Sequence, residues 1–188
     1  MKKSQINEIF KEEKKMVSLC CDSQERDLNF LRSKTLELAQ GNADNIHKTA
    51  IVRDLQATDV GYENDVFVKD LSGGTPLAWN TLTSFTVPDN TYVSFGSVFD
   101  LSETPSVMKV RLGNASCTYR MFDLQAMHSQ CEPHRVLDQS EQIIFGPGTI
   151  VNVEVYLYTA EEDVKLGFDG YVGEPAGQNL SFSPLVDP

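Results

Sequence analysis

From Ala50 to about Phe182 the chain is a relay of short segments in which apolar and polar residues alternate. In Ile150–Tyr158, residues Val151, Val153, Val155 and Leu157 fall on one face and Asn152 and Glu154 on the other, the period of two that belongs to a half-buried strand. The same reading predicts strands over 50–55, 66–71, 81–87, 92–101, 107–112, 117–124, 142–145, 149–159 and 164–171. Turn formers stand between them: Ser72-Gly73-Gly74, Pro88-Asp89-Asn90, Gly113-Asn114 and Gly146-Pro147-Gly148. Met108, Val110 and Leu112 alternate with Lys109 and Arg111 before the Gly113-Asn114 turn, so 107–124 reads as a hairpin. The pattern predicts a mainly β fold, an antiparallel sandwich of seven to nine strands. The segment Gln125–Gln139 has weak periodicity and is expected as a loop or lid.

Residues 1–48 follow a different grammar. They lack β-branched alternation and carry apolar residues at helical spacing, Ile6, Ile9, Phe10 and Val17 in one stripe and Leu28, Leu31, Leu38 and Ala39 in a second. Ser4 caps a first helix in this reading. Asp22 followed by Glu25 resembles a capping box for a second, which ends near Gln40 with Gly41 as its stop. The expected organisation is an N-terminal helical arm, 1–48, and a β-sandwich domain, 49–188. The stripes are candidate interfaces with other chains through Ile6, Phe10, Val17, Leu28, Leu31 and Leu38. On that reading, deletion of residues 1–48 leaves a soluble β-domain.

Charge narrows the partners. The formal net charge is -11 with a pI near 4.6, a field that repels phosphate backbones, so nucleic acid is not an expected partner. No stretch approaches the roughly 20 apolar residues of a membrane span, and the polar run Ser4-Gln5-Ile6-Asn7-Glu8 after Met1-Lys2-Lys3 is unlike a secretory signal. The expected site of synthesis is therefore a cytoplasm. Cys20, Cys21, Cys117 and Cys131 form no spaced framework and read as reduced thiols.

Candidate chemistry is sparse. His128, Cys131 and His134 recur every three residues, with Cys117 as a fourth soft ligand, but the spacing matches no zinc finger or ribbon, and no metal or cofactor is expected. Asp59, Glu63 and Asp65, and Glu161-Glu162-Asp163, lack the spacing of a calcium loop and read as solvated turns. No Gly-x-Ser-x-Gly elbow or phosphate-binding loop is present, and no enzyme is expected. Among the aromatics Trp79, Tyr92, Phe95, Tyr156 and Tyr158, the alternation puts Tyr156 and Tyr158 on the polar face; with Trp79 they form a candidate glycan platform.

Phe145-Gly146-Pro147-Gly148-Thr149-Ile150-Val151 with Val153-Glu154-Val155-Tyr156, and Gly167-Phe168-Asp169-Gly170-Tyr171-Val172-Gly173-Glu174-Pro175, resemble in style the decoration or minor capsid proteins of tailed-phage particles. The resemblance implies a jelly-roll-like sandwich, capsid or other virion proteins as partners, a homo-oligomer with a trimer as the leading arrangement, and a place in the virion. It carries over no catalytic residue. The alternative class is a glycan-binding sandwich module, which on a virion would serve attachment.

Overall fold

The computed structural model describes residues 3–46, 48–102, 106–125, 134–137, 139–159 and 163–177, and gives side chains from residue 24 onward, except at 134 and 135. His128 and Cys131 of the candidate ligand run, and Glu161 and Glu162 of the acidic turn, lie outside the described residues. One helix, α1 (Lys3–Asp44), precedes the strands β1 (Ala50–Asp54), β2 (Lys69–Asp70), β3 (Trp79–Thr86), β4 (Tyr92–Asp100), β5 (Val107–Gly113) and β6 (Thr118–Asp123). Then follow β7 (His134–Val136), β8 (Ile143–Phe145), β9 (Ile150–Leu157), β10 (Asp163–Val164) and β11 (Leu166–Pro175). A single 3-10 turn, Ala57–Val60, follows β1.

The strands form two antiparallel sheets. The first runs β1-β11-β4, with β7 and β8 placed in tandem along the far edge of β4; the second runs β3-β9-β5-β6, and β2 and β10 make a small separate ladder. The pairings are nested. β1 closes on β11, β3 on β9, β4 on β7 and β8, and β5 on β6, so the chain folds back on itself like a long hairpin rolled over a core.

Alternation decides which face is dry. Val151, Val153, Val155 and Leu157 of β9 are fully buried while Asn152, Glu154 and Tyr156 are half-buried on the other side. Phe95 stacks on Phe168 with ring centroids 4.5 Å apart, and Phe85 and Phe145 meet Phe95 edge-on, which joins the inner faces of both sheets in one core. The hairpin of β5 and β6 forms as expected, its turn fastened by Asn114, whose backbone N–H donates to the Cys117 carbonyl (2.8 Å).

Four expectations change. The arm is one continuous helix of 42 residues, because nothing at Asp22 or Gly41 interrupts its backbone ladder. The stripe it seats is Leu31, Thr35, Ala39 and Ala43, an i,i+4 row, whereas Leu38 is exposed. The predicted strand at 66–71 shrinks to Lys69–Asp70, with Val66 and Val68 in solvent, and the expected loop 125–139 holds the three-residue strand β7, paired with Ser97–Phe99.

That i,i+4 row lies on the outer face of the first sheet. A Cβ on Gly173 would stand 2.8 Å from Ala39 Cβ and 3.0 Å from the Thr35 carbonyl; one on Gly96 would meet Leu28 and Leu31 at 2.7 and 2.8 Å. Two strand glycines thus let the helix approach closely. Leu28 and Leu31, expected at an intermolecular contact, face the chain's own sheet, where Thr35 Oγ1 lies 3.0 Å from Ser94 Oγ. At the sheet edge Gln139 Nε2 donates to Asp27 Oδ1 (3.0 Å) and Gln142 Nε2 to the Asp27 carbonyl (2.9 Å). Gly173→Val would force the helix off this seat and should lower stability by about 1–3 kcal/mol. An unchanged urea midpoint would mean that the helix does not rest there.

Candidate functional site

The outer face of the second sheet carries the most distinctive side-chain cluster. Register places Trp79 opposite Tyr156 and Tyr156 opposite Lys109; one step on, Thr81 faces Glu154 and Glu154 faces Arg111. The alternation that buries Val110 and Leu112 turns Lys109 and Arg111 to this face. Arg111 donates to both oxygens of Glu154, Nε at 2.9 Å and Nη2 at 2.7 Å, and its guanidinium lies 4.5 Å from the Trp79 ring centroid. Trp79 and Tyr156 meet edge to face at 5.5 Å.

Where β3 begins and β9 ends, a braced loop adjoins the sheet. The Leu77 N–H donates to the Leu157 carbonyl (2.8 Å), and Asn80 bridges the loop: its Oδ1 accepts from the Thr75 N–H (2.7 Å) and its Nδ2 donates to the carbonyls of Thr75 (2.9 Å) and Ala78 (3.0 Å). Leu77 itself has φ 53, a left-handed conformation that costs a branched side chain about 1–3 kcal/mol. It is 61% exposed, as is Tyr158 next to it. Rigid backbone is being used to hold an apolar side chain in water.

The candidate glycan residues are therefore partly assembled. Trp79 and Tyr156 touch, and Tyr158 lies in solvent past the end of β9, but Arg111 occupies one face of the Trp79 ring. Tyr92 packs with Ala39, Ala43 and Ala50, and Phe95 is wholly buried, so neither belongs to a platform. Arg111, Glu154 and Leu77 were not picked out from sequence. The alternation of 107–112 signals that Arg111 is outward, but only the pairing of both β5 and β3 with β9 brings it to Trp79.

Two other clusters are built from ionisable groups. Arg53 on β1 donates to both oxygens of Asp59 (2.6 and 2.7 Å) and through Nε to Glu174 Oε1 (3.3 Å). Glu174 is fully buried, and its Oε2 has no hydrogen-bond partner among the described residues. Burial pushes the Glu174 carboxyl above the usual carboxylate range, with Arg53 pulling the other way, while the hydrogen bond from Arg53 to Asp59 raises the Arg53 guanidinium further. Asp59, considered as a calcium ligand, is thus committed to Arg53, and Glu63 to Lys69 (2.9 Å).

The second is a cleft of about 300 Å³ between the helix and the first sheet, lined by Leu28, Asp54, Leu55, Asp169, Gly170 and Tyr171. Ser97 Oγ donates to Asp169 Oδ2 at 2.8 Å, and burial raises the Tyr171 hydroxyl pKa. Among the described residues its lining includes no Ser, Cys or His. Among the described residues no three His, Cys, Asp or Glu side chains gather around a possible metal, and no helix is long and apolar enough to cross a membrane. No protein-family model matches the chain, and no curated protein matches it.

Proposed function

We propose that this chain is a structural protein of a virus particle, a jelly-roll capsid decoration or minor capsid component that acts through protein–protein contacts. The observation that carries the reading is the overrun of the helix. At 1.5 Å per residue, α1 is about 63 Å long. The stretch from Asp27 to Asp44 crosses the sheet, so residues 3–26 amount to about 36 Å of helix running on beyond the Asp27 contacts at the sheet edge. Helices in proteins draw most of their stability from packing an apolar face, and the sequence stripe Ile6, Phe10 and Val17 supports a partner surface for this stretch.

The nested strand order supports the jelly-roll part. With β7 and β8 counted as one broken strand and the small ladder set aside, the pairings run first with last, second with second-last, and so inward to the β5–β6 hairpin. Rolling such a long hairpin gives two four-stranded sheets in double Greek-key order.

The test is the native mass of the full chain by light scattering at 10–100 µM, together with a search for the chain in purified particles from its source. A homo-oligomer is expected, with a trimer leading, and a chain starting at Gln24 should have a lower mass. A full-length chain that stays monomeric and is absent from particles would sink the reading. The glycan-binding alternative retains Tyr158 and the Trp79–Tyr156 pair, and is favoured by a monomer whose tryptophan emission responds to oligosaccharides.

A further inference from the structure

We infer that the outer face of the second sheet, centred on Leu77, Trp79, Tyr156 and Tyr158, is a docking surface for a second copy of this chain. The inference rests on the assembly reading above and specifies a contact which that reading leaves open. The first sheet has its outer face covered by α1; the second sheet has no described element over its own. Strands of six to eight residues, four abreast, give a flat footprint about 24 Å by 19 Å, roughly 450 Å² before side-chain relief and the Leu77 loop are added. That approaches the roughly 800 Å² per partner of an ordinary stable interface.

Charge selects the occupant. A chain of net charge -11 repels its own copies, so self-association needs a surface where the charges cancel. On this face Lys109 stands opposite Asp123, and Arg111 is neutralised by Glu154. The remaining outward positions, Thr81, Ser84, Thr86, Asn152, Ile150 and Met121, are uncharged, and Ile150 and Met121 are more than half exposed. The two signs are balanced on this face, so a partner carrying one strong sign gains no net attraction here, whereas a second copy meets no net field. The composition also suits the role: tryptophan, tyrosine and arginine are the side chains that concentrate binding energy at protein interfaces, and the Asn80-braced loop presents Leu77 without further ordering.

Trp79 is the sole tryptophan, so its emission reports on this face alone. The full chain is compared with Leu77→Glu/Tyr158→Glu and, separately, with Ile150→Glu, all at solvent-exposed positions that folding should tolerate. Self-association measured by sedimentation equilibrium should weaken at least tenfold in both variants, with Trp79 emission shifting to the red and acrylamide quenching rising, while the melting temperature of each is retained. Dilution of the wild-type chain should produce the same red shift. If the wild-type chain is an oligomer and both variants keep its mass and its Trp79 emission, the docking face is wrong and the assembly reading stands. A wild-type monomer would overturn the docking face, and the assembly reading with it where the chain is also absent from particles.

Discussion

A chain that begins at Thr49 should not hold a stable, soluble sandwich, whereas one that begins at Gln24 should fold as the full chain does. The difference lies between two halves of one helix. Residues 27–44 cover Gly96, Gly173 and Ser94; without them Leu31, Ala39, Ala43 and Thr35 are lost from the buried set, and Ala50 and Tyr92 lose the helix side chains that cover them. Burial of Leu31 with part of Leu28, the two alanines and the Thr35–Ser94 contact add up to on the order of 4–6 kcal/mol. That matches the lower end of the 5–15 kcal/mol by which a domain of this kind stands above its unfolded state. A chain from Gln24 keeps all of these contacts, and Asp27 then lies in the first turn, where its carboxylate suits the positive end of the helix. Its unfolding free energy in a urea titration should lie within about 0.5 kcal/mol of the full chain's. A soluble, cooperatively melting chain from Thr49 would show that the seat contributes little and would restore the whole of 1–48 as a free arm.

The sequence makes the sandwich legible wherever a strand has one wet and one dry face. Val151, Val153, Val155 and Leu157 are buried as their spacing requires, and β5 and β6 pair across the turn that Gly113-Asn114 predicts. Legibility fails where the deciding contact is long-range. The seat of α1 is read only in part: Leu28, Leu31 and Ala39 stand in the expected second stripe, but Thr35 and Ala43 are small and join it through Gly96 and Gly173, more than fifty residues away in the chain. Asp22 and Glu25 resemble a cap locally, yet good helix formers on both sides carry the backbone through. β7 is three residues long and owes its register to β4, so no periodicity could announce it. The docking face is legible only in part. Tyr156 alternates visibly, but Arg111 joins Trp79 through the pairing of β5 and β3 with β9, and the exposure of Leu77 follows from a backbone conformation that composition does not encode.

Replacing Arg53 by alanine should cost about 3–5 kcal/mol, since it leaves Glu174 buried and Asp59 beside it without their shared cation. Glu174→Gln should cost within about 1 kcal/mol, because Arg53 keeps both of its bonds to Asp59 and a buried charge is removed. The pH dependence separates the two effects. Burial raises the Glu174 carboxyl in the folded chain, so the folded state binds its proton more tightly than the unfolded state does. The contribution of Glu174 to stability is therefore fully present below the ordinary glutamate range and is lost as pH rises through the raised folded value. In Arg53→Ala the attraction that offsets burial is gone, and the loss on raising the pH should be steeper than in the wild-type chain. In Glu174→Gln this component vanishes, so the stability difference between wild type and variant should change between pH 4 and pH 8, moving in the variant's favour as pH rises. Urea midpoints measured across that range decide it: a difference that stays constant, or an Arg53→Ala chain as stable as wild type at pH 8, would mean that Glu174 is not the strained member of the cluster.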